Sequence, residues 1–580
     1  MQWPTSHRTD LASVLPKSAI AIVLIAGCAH AISLAWPFYA GLAQGQPVWW
    51  LQLLAMFALV WQLQRCSTAR QGAWLGWLFA TAMQCATWWW LFISLHTYGG
   101  LASGLAVLAI VGLAGFLALY HALVCAAFVR LSPAHAAAQP DRRGALPALV
   151  FAALWLLAEL GRVAFFTGFP WGEGGYAQLD GPFANLAKLV GVHGLTFASA
   201  WVGAAALGLA LRPRWPSALR VAAVLALAGG VSVALKVDNS VSLFTSTHPA
   251  AVSGTAVKPF TVALLQGNIA QDEKFLGGSG IPDALNWYGE QLRRSTASLV
   301  VTPETALPLL PEQLPEGYLA DLLNHFMQPA PGAAPTAALV GIPLGSSQQG
   351  YTNSVIGLKP VTTATAGASP DDVESRVYRY DKHHLVPFGE FVHPLFKWFL
   401  AMVNMPLSDF NRGEVSQPSF DWQGQRVAPN ICYEDLFGEE LAARFIDPAA
   451  SPTLFVNISN IGWFGNTIAI DQHLNISRMR AIEFERPMIR ATNTGATAII
   501  DHRGQVTHAL ARHTRGVLVG TVEGRSGTTP YAWWVSRFGL WPWWALCLGI
   551  VGFSVAGCWQ RSKAPKAPNV AFTSRTGSAE

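Results

Sequence analysis

Three polar side chains in the 580-residue sequence each close an apolar run of strand length, and together their types suit acyl transfer. Val300-Val301-Thr302-Pro303-Glu304 places a carboxylate just past such a run. Tyr380-Asp381-Lys382-His383-His384-Leu385 presents a lysine and continues into Val386-Pro387-Phe388-Gly389-Glu390. Asn430-Ile431-Cys432-Tyr433-Glu434 puts a thiol at a strand end, ahead of a helical stretch from Asp435. There, helix-terminal N–H groups and a neighbouring cation are expected to lower the thiol's pKa. A carboxylate beside the thiol can take its proton, and a lysine can hold developing negative charge. Taken singly, each has a plainer reading: a solvated carboxylate, a surface cation, a buried inert thiol. The combination weighs against those readings, because Cys28, Cys66, Cys85, Cys125, Cys547 and Cys558 all lie in or beside long apolar runs and Cys432 stands apart from them.

The elements around these residues alternate. Strands are predicted at Phe260–Leu265, Ser298–Thr302, Ala337–Ile342, Tyr351–Leu358, Val377–Tyr380, Arg426–Cys432, Thr453–Ser459, Ala496–Asp501 and Gly516–Val522. Helices are predicted at 283–297, 313–326, 435–446 and 468–486. Such alternation implies an α/β domain with helices covering sheet, and functional groups at strand ends. No phosphate-binding glycine loop or zinc-spaced Cys/His cluster occurs, so no metal or other cofactor is expected. His383 and His384 are adjacent, which on a strand sends them to opposite faces.

The rest of the chain is of another kind. It is 52% hydrophobic and 12% charged, with 24 Trp and 30 Phe, and its mean hydropathy is +0.32. Soluble domains carry roughly 25% charged residues. Apolar runs near 18–36, 47–63, 72–94, 102–129, 145–165, 188–211, 218–236 and 538–558 approach the roughly 20 residues that span a bilayer. The resulting plan is a membrane domain of seven helices over 1–237, an α/β domain over 258–525, an eighth helix over 538–558 and a polar tail over 559–580. Lys and Arg crowd the loops on one side: Arg8 and Lys17, Arg65 and Arg70, Arg130, Arg142 and Arg143, Arg212, Arg214 and Arg220, then Arg561, Lys563, Lys566 and Arg575. The opposite short loops hold Lys188 and, at a helix end, Arg162. That asymmetry predicts both termini in the cytoplasm and the α/β domain outside, the periplasm in a bacterium. The cations are loop anchors, so nucleic acid is not an expected partner.

Glu304, Lys382 and Cys432, within Pro303-Glu304-Thr305-Ala306-Leu307-Pro308, the lysine motif through Glu390, and Ile431-Cys432-Tyr433-Glu434, resemble the catalytic motifs of the nitrilase superfamily. With the membrane segments, the resemblance is to its bacterial membrane branch, the apolipoprotein N-acyltransferases. Leu95-His96-Thr97-Tyr98-Gly99-Gly100, Thr167-Gly168-Phe169-Pro170-Trp171, Gln266-Gly267-Asn268, Asn457-Ile458-Ser459-Asn460, Trp463-Phe464-Gly465, Gln472-His473-Leu474 and Arg490-Ala491-Thr492-Asn493-Thr494-Gly495 fit that branch too. Two positions depart from it: Lys274 is followed by Phe275 where Trp is most familiar, and Ile461 stands where an acidic residue is expected.

The resemblance implies a nitrilase-like α-β-β-α sandwich attached to a helical membrane domain, integral to the inner membrane. It implies that a membrane phospholipid donates an acyl chain to Cys432 as a thioester, and that the N-terminal amine of a diacylated apolipoprotein accepts it. Glu304 would be base and then acid, Lys382 and the Tyr433 N–H would steady the oxyanion, and Glu390 and Glu434 would orient Lys382 and the thiol. Phe275 and Trp463 would meet substrate. In Phe391–Met405, the apolar residues Phe396, Trp398 and Phe399 suggest an arm on the membrane surface, or else a core helix. Two other readings use the same sequence: a membrane-tethered amidase acting on a soluble amide, and a transporter or scaffold with an inert external domain.

Overall fold

The computed structural model describes residues 15–131, 146–211, 213, 215–235, 258–361, 377–391 and 410–563. The predicted apolar runs of the first part are helices: α1 (Lys17–Leu34), α2 (Trp49–Leu63), α3 (Ala69–Trp88), α4 (Ser103–Leu131), α5 (Leu146–Ala164), α6 (Ala187–Leu211) and α7 (Trp215–Ala234). Among the described helices, six are long and apolar enough to cross a membrane: α1, α4, α5, α6, α7 and a last helix from Trp541. The other two fall short for local reasons. α2 has 15 residues, and α3 mixes Arg70, Gln71 and Gln84 into its run.

The α/β part contains twelve described strands. They are β1 (Phe260–Gln266), β2 (Leu299–Val301), β3 (Ala337–Ser346), β4 (Gly350–Leu358), β5 (Tyr378–Asp381), β6 (Phe420–Trp422), β7 (Gln425–Ile431), β8 (Leu454–Ser459), β9 (Met488–Thr492), β10 (Ala498–Ile500), β11 (Val506–Ala509) and β12 (Gly516–Val522). Two six-stranded sheets result, ordered β12-β1-β2-β3-β4-β5 and β11-β10-β9-β8-β7-β6. Their central strands β1-β2-β3 and β7-β8-β9 run parallel. Side chains alternate between two buried faces, which is why these strands read as continuous apolar runs. In β1, Val262 and Leu264 point at the other sheet and meet Val427, Ile431 and Val456. Ala263 and Leu265 point outward, under Leu285 and Leu292 of α8 (Gly280–Arg294) and alongside Leu322 of α9 (Tyr318–Met327). The second sheet is covered by α10 (Ala469–Phe484), whose Ala481 and Phe484 pack on Phe455 and Met488. This is the expected α-β-β-α sandwich.

Three strands escaped sequence reading. β6 has three residues, all four positions of β11 are exposed, and β9 buries Arg490 among its apolar residues. The helix expected over 435–446 is broken into a tight turn Cys432–Leu436, a short helix Gly438–Ala442 and a turn Ala443–Phe445. A Cβ on Gly438 would run into the Arg480 guanidinium, so a larger residue there would have to displace it. The last apolar run also starts later than 538: Pro530–Phe538 is its own helix, α11, ended by Gly539 at φ 55, and α12 runs Trp541–Lys563.

α10 serves two cores at once. Its Ile470, Ile476, Met479 and Ile482 join Leu34, Trp171, Tyr176 and Leu195 of the helix bundle. Polar ties reinforce the seam: Asn475 Nδ2 donates to Gly45 O at 2.9 Å, Arg478 pairs with Asp180 at 2.6 Å, and Lys188 pairs with Glu485 at 3.2 Å. The bundle loops that touch the sandwich are therefore those the sequence marks as poor in cations, and their few cations are used in pairs.

Candidate active site

Each of the three predicted residues follows the end of a strand: Glu304 after β2, Lys382 after β5, and Cys432 after β7. The fold brings all three together under cover. Lys382 is wholly buried and Glu304 nearly so. Lys382 Nζ donates to Glu304 Oε1 at 3.1 Å and to Glu390 Oε1 at 2.8 Å. Asn353 Nδ2 bridges the same two carboxylates, 2.7 Å from Glu304 Oε1 and 2.8 Å from Glu390 Oε1. The remaining Glu304 oxygen accepts from the Asn460 N–H at 2.9 Å, and the Lys274 ammonium donates to the Glu304 carbonyl at 3.0 Å.

These contacts set the charges. Burial pushes the Glu304 carboxyl up, but Lys382, Asn353, Lys274 and the Asn460 N–H outweigh it and leave the group below its ordinary pKa. Burial likewise works against the Lys382 ammonium, and Glu304 and Glu390 more than reverse this, so its pKa is raised. The thiol goes the other way from the sequence expectation. Burial pushes Cys432 up to about 12, Glu304 pushes in the same direction, and Lys382 and the Ser459 hydroxyl offset only part of it. The resting site therefore holds a neutral thiol facing an ionised carboxylate. A thiol in that state has an acceptor for its proton beside it.

Cys432 itself sits at φ 53, the left-handed region, where a residue other than glycine costs roughly 1–2 kcal/mol. The turn after it is held by Glu434. That side chain accepts from the backbone N–H groups of Ile431 (2.6 Å), His383 (2.6 Å) and His384 (3.3 Å), and from the Tyr380 hydroxyl (2.8 Å). With four donors on it, Glu434 ties the lysine segment to the thiol's turn instead of meeting either reactive atom. Glu390 accepts from the Lys382 ammonium and also from the Val386 N–H at 2.9 Å.

The other expected residues divide. The Tyr433 ring points away from the reacting groups, and its hydroxyl donates to Gly168 O of the bundle at 3.1 Å. Trp463 lies edge-on to Tyr98 of the bundle, centroids 5.8 Å apart, and Phe275 flanks the Lys274 ammonium at 5.8 Å. Both are half-buried. Phe396, Trp398 and Phe399 lie outside the described residues. The ends of their segment are close together beside Lys382, because the Phe410 N–H donates to Glu390 O at 3.1 Å. Sequence reading missed Asn353, Asn460 and Lys274 as site residues. Asn353 left a signal, a poor strand former inside Tyr351-Thr352-Asn353-Ser354-Val355. The turn at Ile461 is now accounted for: Ile461 is buried in the seam with the bundle, and Asn460 before it holds Glu304 and, through Nδ2, Gln271 Oε1 at 2.8 Å.

Sequence patterns of two known families match the chain. The carbon–nitrogen hydrolase pattern covers residues 261–531, the span of the sandwich. The pattern of the apolipoprotein N-acyltransferase N-terminal domain covers residues 16–205. Relatives share both parts: an apolipoprotein N-acyltransferase from Verminephrobacter eiseniae is 56% identical over 540 residues, 89% of this chain and 92% of that one. Another from Ralstonia nicotianae is 41% identical over 83% of this chain and 85% of its own. The chain belongs to the apolipoprotein N-acyltransferase family. Among solved structures, an amidase of the nitrilase superfamily from Nesterenkonia AN1 overlaps 49% of this chain and 97% of its own, at 15% identity and a TM-score of 0.32.

Proposed function

We propose that the protein moves an acyl chain from a membrane phospholipid to the N-terminal amine of diacylglyceryl-cysteine on an apolipoprotein, through a thioester on Cys432. In the first half, Glu304 takes the thiol proton as Cys432 Sγ attacks the ester carbonyl. Lys382 and the Tyr433 N–H stabilise the oxyanion. The tetrahedral adduct collapses, and Glu304 returns the proton to the departing lysophospholipid oxygen. In the second half, the acceptor amine attacks the thioester, Glu304 takes its proton and passes it to Cys432 Sγ, and the amide leaves.

The observation that carries this reading is the closed Glu304–Lys382–Glu390–Asn353 cluster beside a neutral thiol, seated directly on a bundle of membrane-length helices. Such seating suits two lipid substrates, because both meet the site from the bilayer and lose little further freedom on binding. Helices α1 to α7 and α12 cross the inner membrane, α2 and α3 included, with the cation-rich ends in the cytoplasm and the sandwich in the periplasm. The bounds 1–237 and 258–525 divide the first two parts, and α12, Trp541–Lys563, follows them.

The test is incubation with phospholipid labelled in its acyl chain. A hydroxylamine-labile label on the protein, absent in Cys432→Ser and discharged by a diacylated peptide amine, is the expected result. Discharge to water at the same rate without the amine would make the protein a hydrolase and overturn the reading.

A further inference from the structure

The bundle reaches the nucleophile through an uninterrupted set of contacts. The Cys432 carbonyl accepts from Asn457 Nδ2 at 3.1 Å and lies 3.2 Å from His473 Nε2 on α10. Arg490 Nη2 is 3.0 Å from His473 Nδ1. A guanidinium can only donate, so Nδ1 accepts and the ring proton sits on Nε2. That N–H is shared between the Cys432 carbonyl and Asp435 Oδ1 at 2.9 Å. His473, Asp435 and Arg490 are all wholly buried. Asp435 is further fixed by Ser477 and by Arg490 Nη1 at 3.2 Å, and its carboxyl is held below its ordinary pKa: burial raises it, but His473, Arg490 and Ser477 outweigh that.

The other face of the His473 ring is covered from the bundle. Trp171 stacks on it, centroids 5.4 Å apart and planes 28° apart. Trp171 is itself immobilised: its indole N–H donates to Gln472 Oε1 at 2.9 Å, and its carbonyl accepts from Arg162 Nη1 at 3.2 Å and from Trp88 Nε1 at 2.9 Å. Arg162 is held in turn by Glu159, buried in α5.

We propose that His473 and Trp171 are positioning residues for acyl transfer: the bundle, through Trp171, fixes the His473 ring, and His473 holds the Cys432 carbonyl so that the left-handed turn keeps Sγ aimed at Glu304. The bundle is thus part of what makes the thiol competent as well as what anchors it. This rests on Cys432 being the nucleophile. No residue of the set touches the reacting atoms, so each acts through the geometry of Cys432.

The test uses the full-length protein in detergent and a short-chain p-nitrophenyl ester, reading the burst of p-nitrophenolate per folded molecule. His473→Leu is expected to slow the burst about tenfold, the order of one lost hydrogen bond to a strained turn, with the ester's KM unchanged. His473→Gln, which keeps an N–H donor, should recover most of the rate and also serves if the Leu variant folds poorly. Trp171→Leu should slow the burst about threefold, and adding it to His473→Leu should cost nothing more, because Trp171 acts through His473. A burst at the wild-type rate in His473→Leu, with only a lowered melting temperature, would overturn the proposal, as would fully additive effects of the two substitutions. A burst that survives in Cys432→Ser would instead remove the nucleophile on which the proposal stands.

Discussion

Two of the buried ionic clusters among the described residues, one in the helix bundle around Glu159 and one in the sandwich around Lys382, use similar parts to opposite ends. In the bundle, Glu159 pairs with Arg162 and with His121 Nε2 at 3.3 Å, and Arg162 spends its remaining donors on the carbonyls of Phe169 and Trp171. Every charge there is answered by a fixed partner. In the sandwich, Lys382, Glu304, Glu390 and Asn353 are as tightly joined, but the cluster faces a thiol that no hydrogen-bond network of comparable strength holds. Burial and ion pairing therefore do not by themselves mark a catalytic group. What sets the sandwich cluster apart is an ionised carboxylate next to a neutral thiol on a strained turn.

Substitutions can break or sharpen this contrast. The largest effect falls on the thiol: Cys432→Ala should abolish the hydroxylamine-labile acyl adduct while the protein remains folded and inserted, as read by labelled phospholipid and by melting temperature. Glu304→Gln should lower the rate of adduct formation by about 10²–10⁴, the usual weight of a general base. A normal adduct would pass the base role to Glu390, since Glu434 is fully used by four donors. Lys382→Arg should fail nearly as badly as Lys382→Ala, because a forked guanidinium does not fit between two carboxylates spaced for an ammonium.

The bundle cluster should respond differently. Removing one partner, as in Glu159→Gln, strands the other charge and is expected to destabilise the protein by about 3–5 kcal/mol, whereas Glu159→Leu with Arg162→Leu together should cost less than either alone. Thermal unfolding in detergent compares them; equal losses in single and double variants would make the bundle pair no different in kind from the site.

The smallest effect is on pH. With the thiol at about 12 and Glu304 below its ordinary range, neither titrates near neutrality, so the ester burst should be flat from about pH 6 to pH 9. It should fall only in acid, as Glu304 takes up a proton. Stability follows the same sign: a carboxyl with a depressed folded pKa contributes above its unfolded value and loses that contribution as pH falls through the folded one. A rise in burst rate with a midpoint between about pH 7 and pH 9 would mean a pre-formed thiolate, and the contrast between the two clusters would have to be redrawn.

Most of this arrangement was legible in the sequence because short apolar runs closed by polar residues and apolar runs of about 20 residues are strong signals. The meeting of Glu304, Lys382 and Cys432 was legible because each closes a strand. What stayed hidden depended on tertiary surroundings. The direction of the Cys432 pKa follows from how deeply the turn is buried, and a turn of five residues does not announce its depth. Asn353 and Asn460 act only because other strands bring them to Glu304. β9 was obscured by Arg490, a residue that a buried strand tolerates only with Asp435 and His473 opposite it.

The pairing of β1 with β12 has a consequence for how the chain is made. Phe260 lies opposite Val522 and Gln266 opposite Gly516, so the strand that begins the sandwich is completed by the one that ends it. The first sheet cannot close until synthesis has passed residue 522, by which time the chain on both sides of the thiol is already outside the ribosome. α12 begins at Trp541, so closure of the sheet and delivery of the last apolar helix follow one another within a short stretch of translation. A ribosome stalled before that point would leave β1 as an open edge strand, and the first sheet would be completed only as α12 emerges.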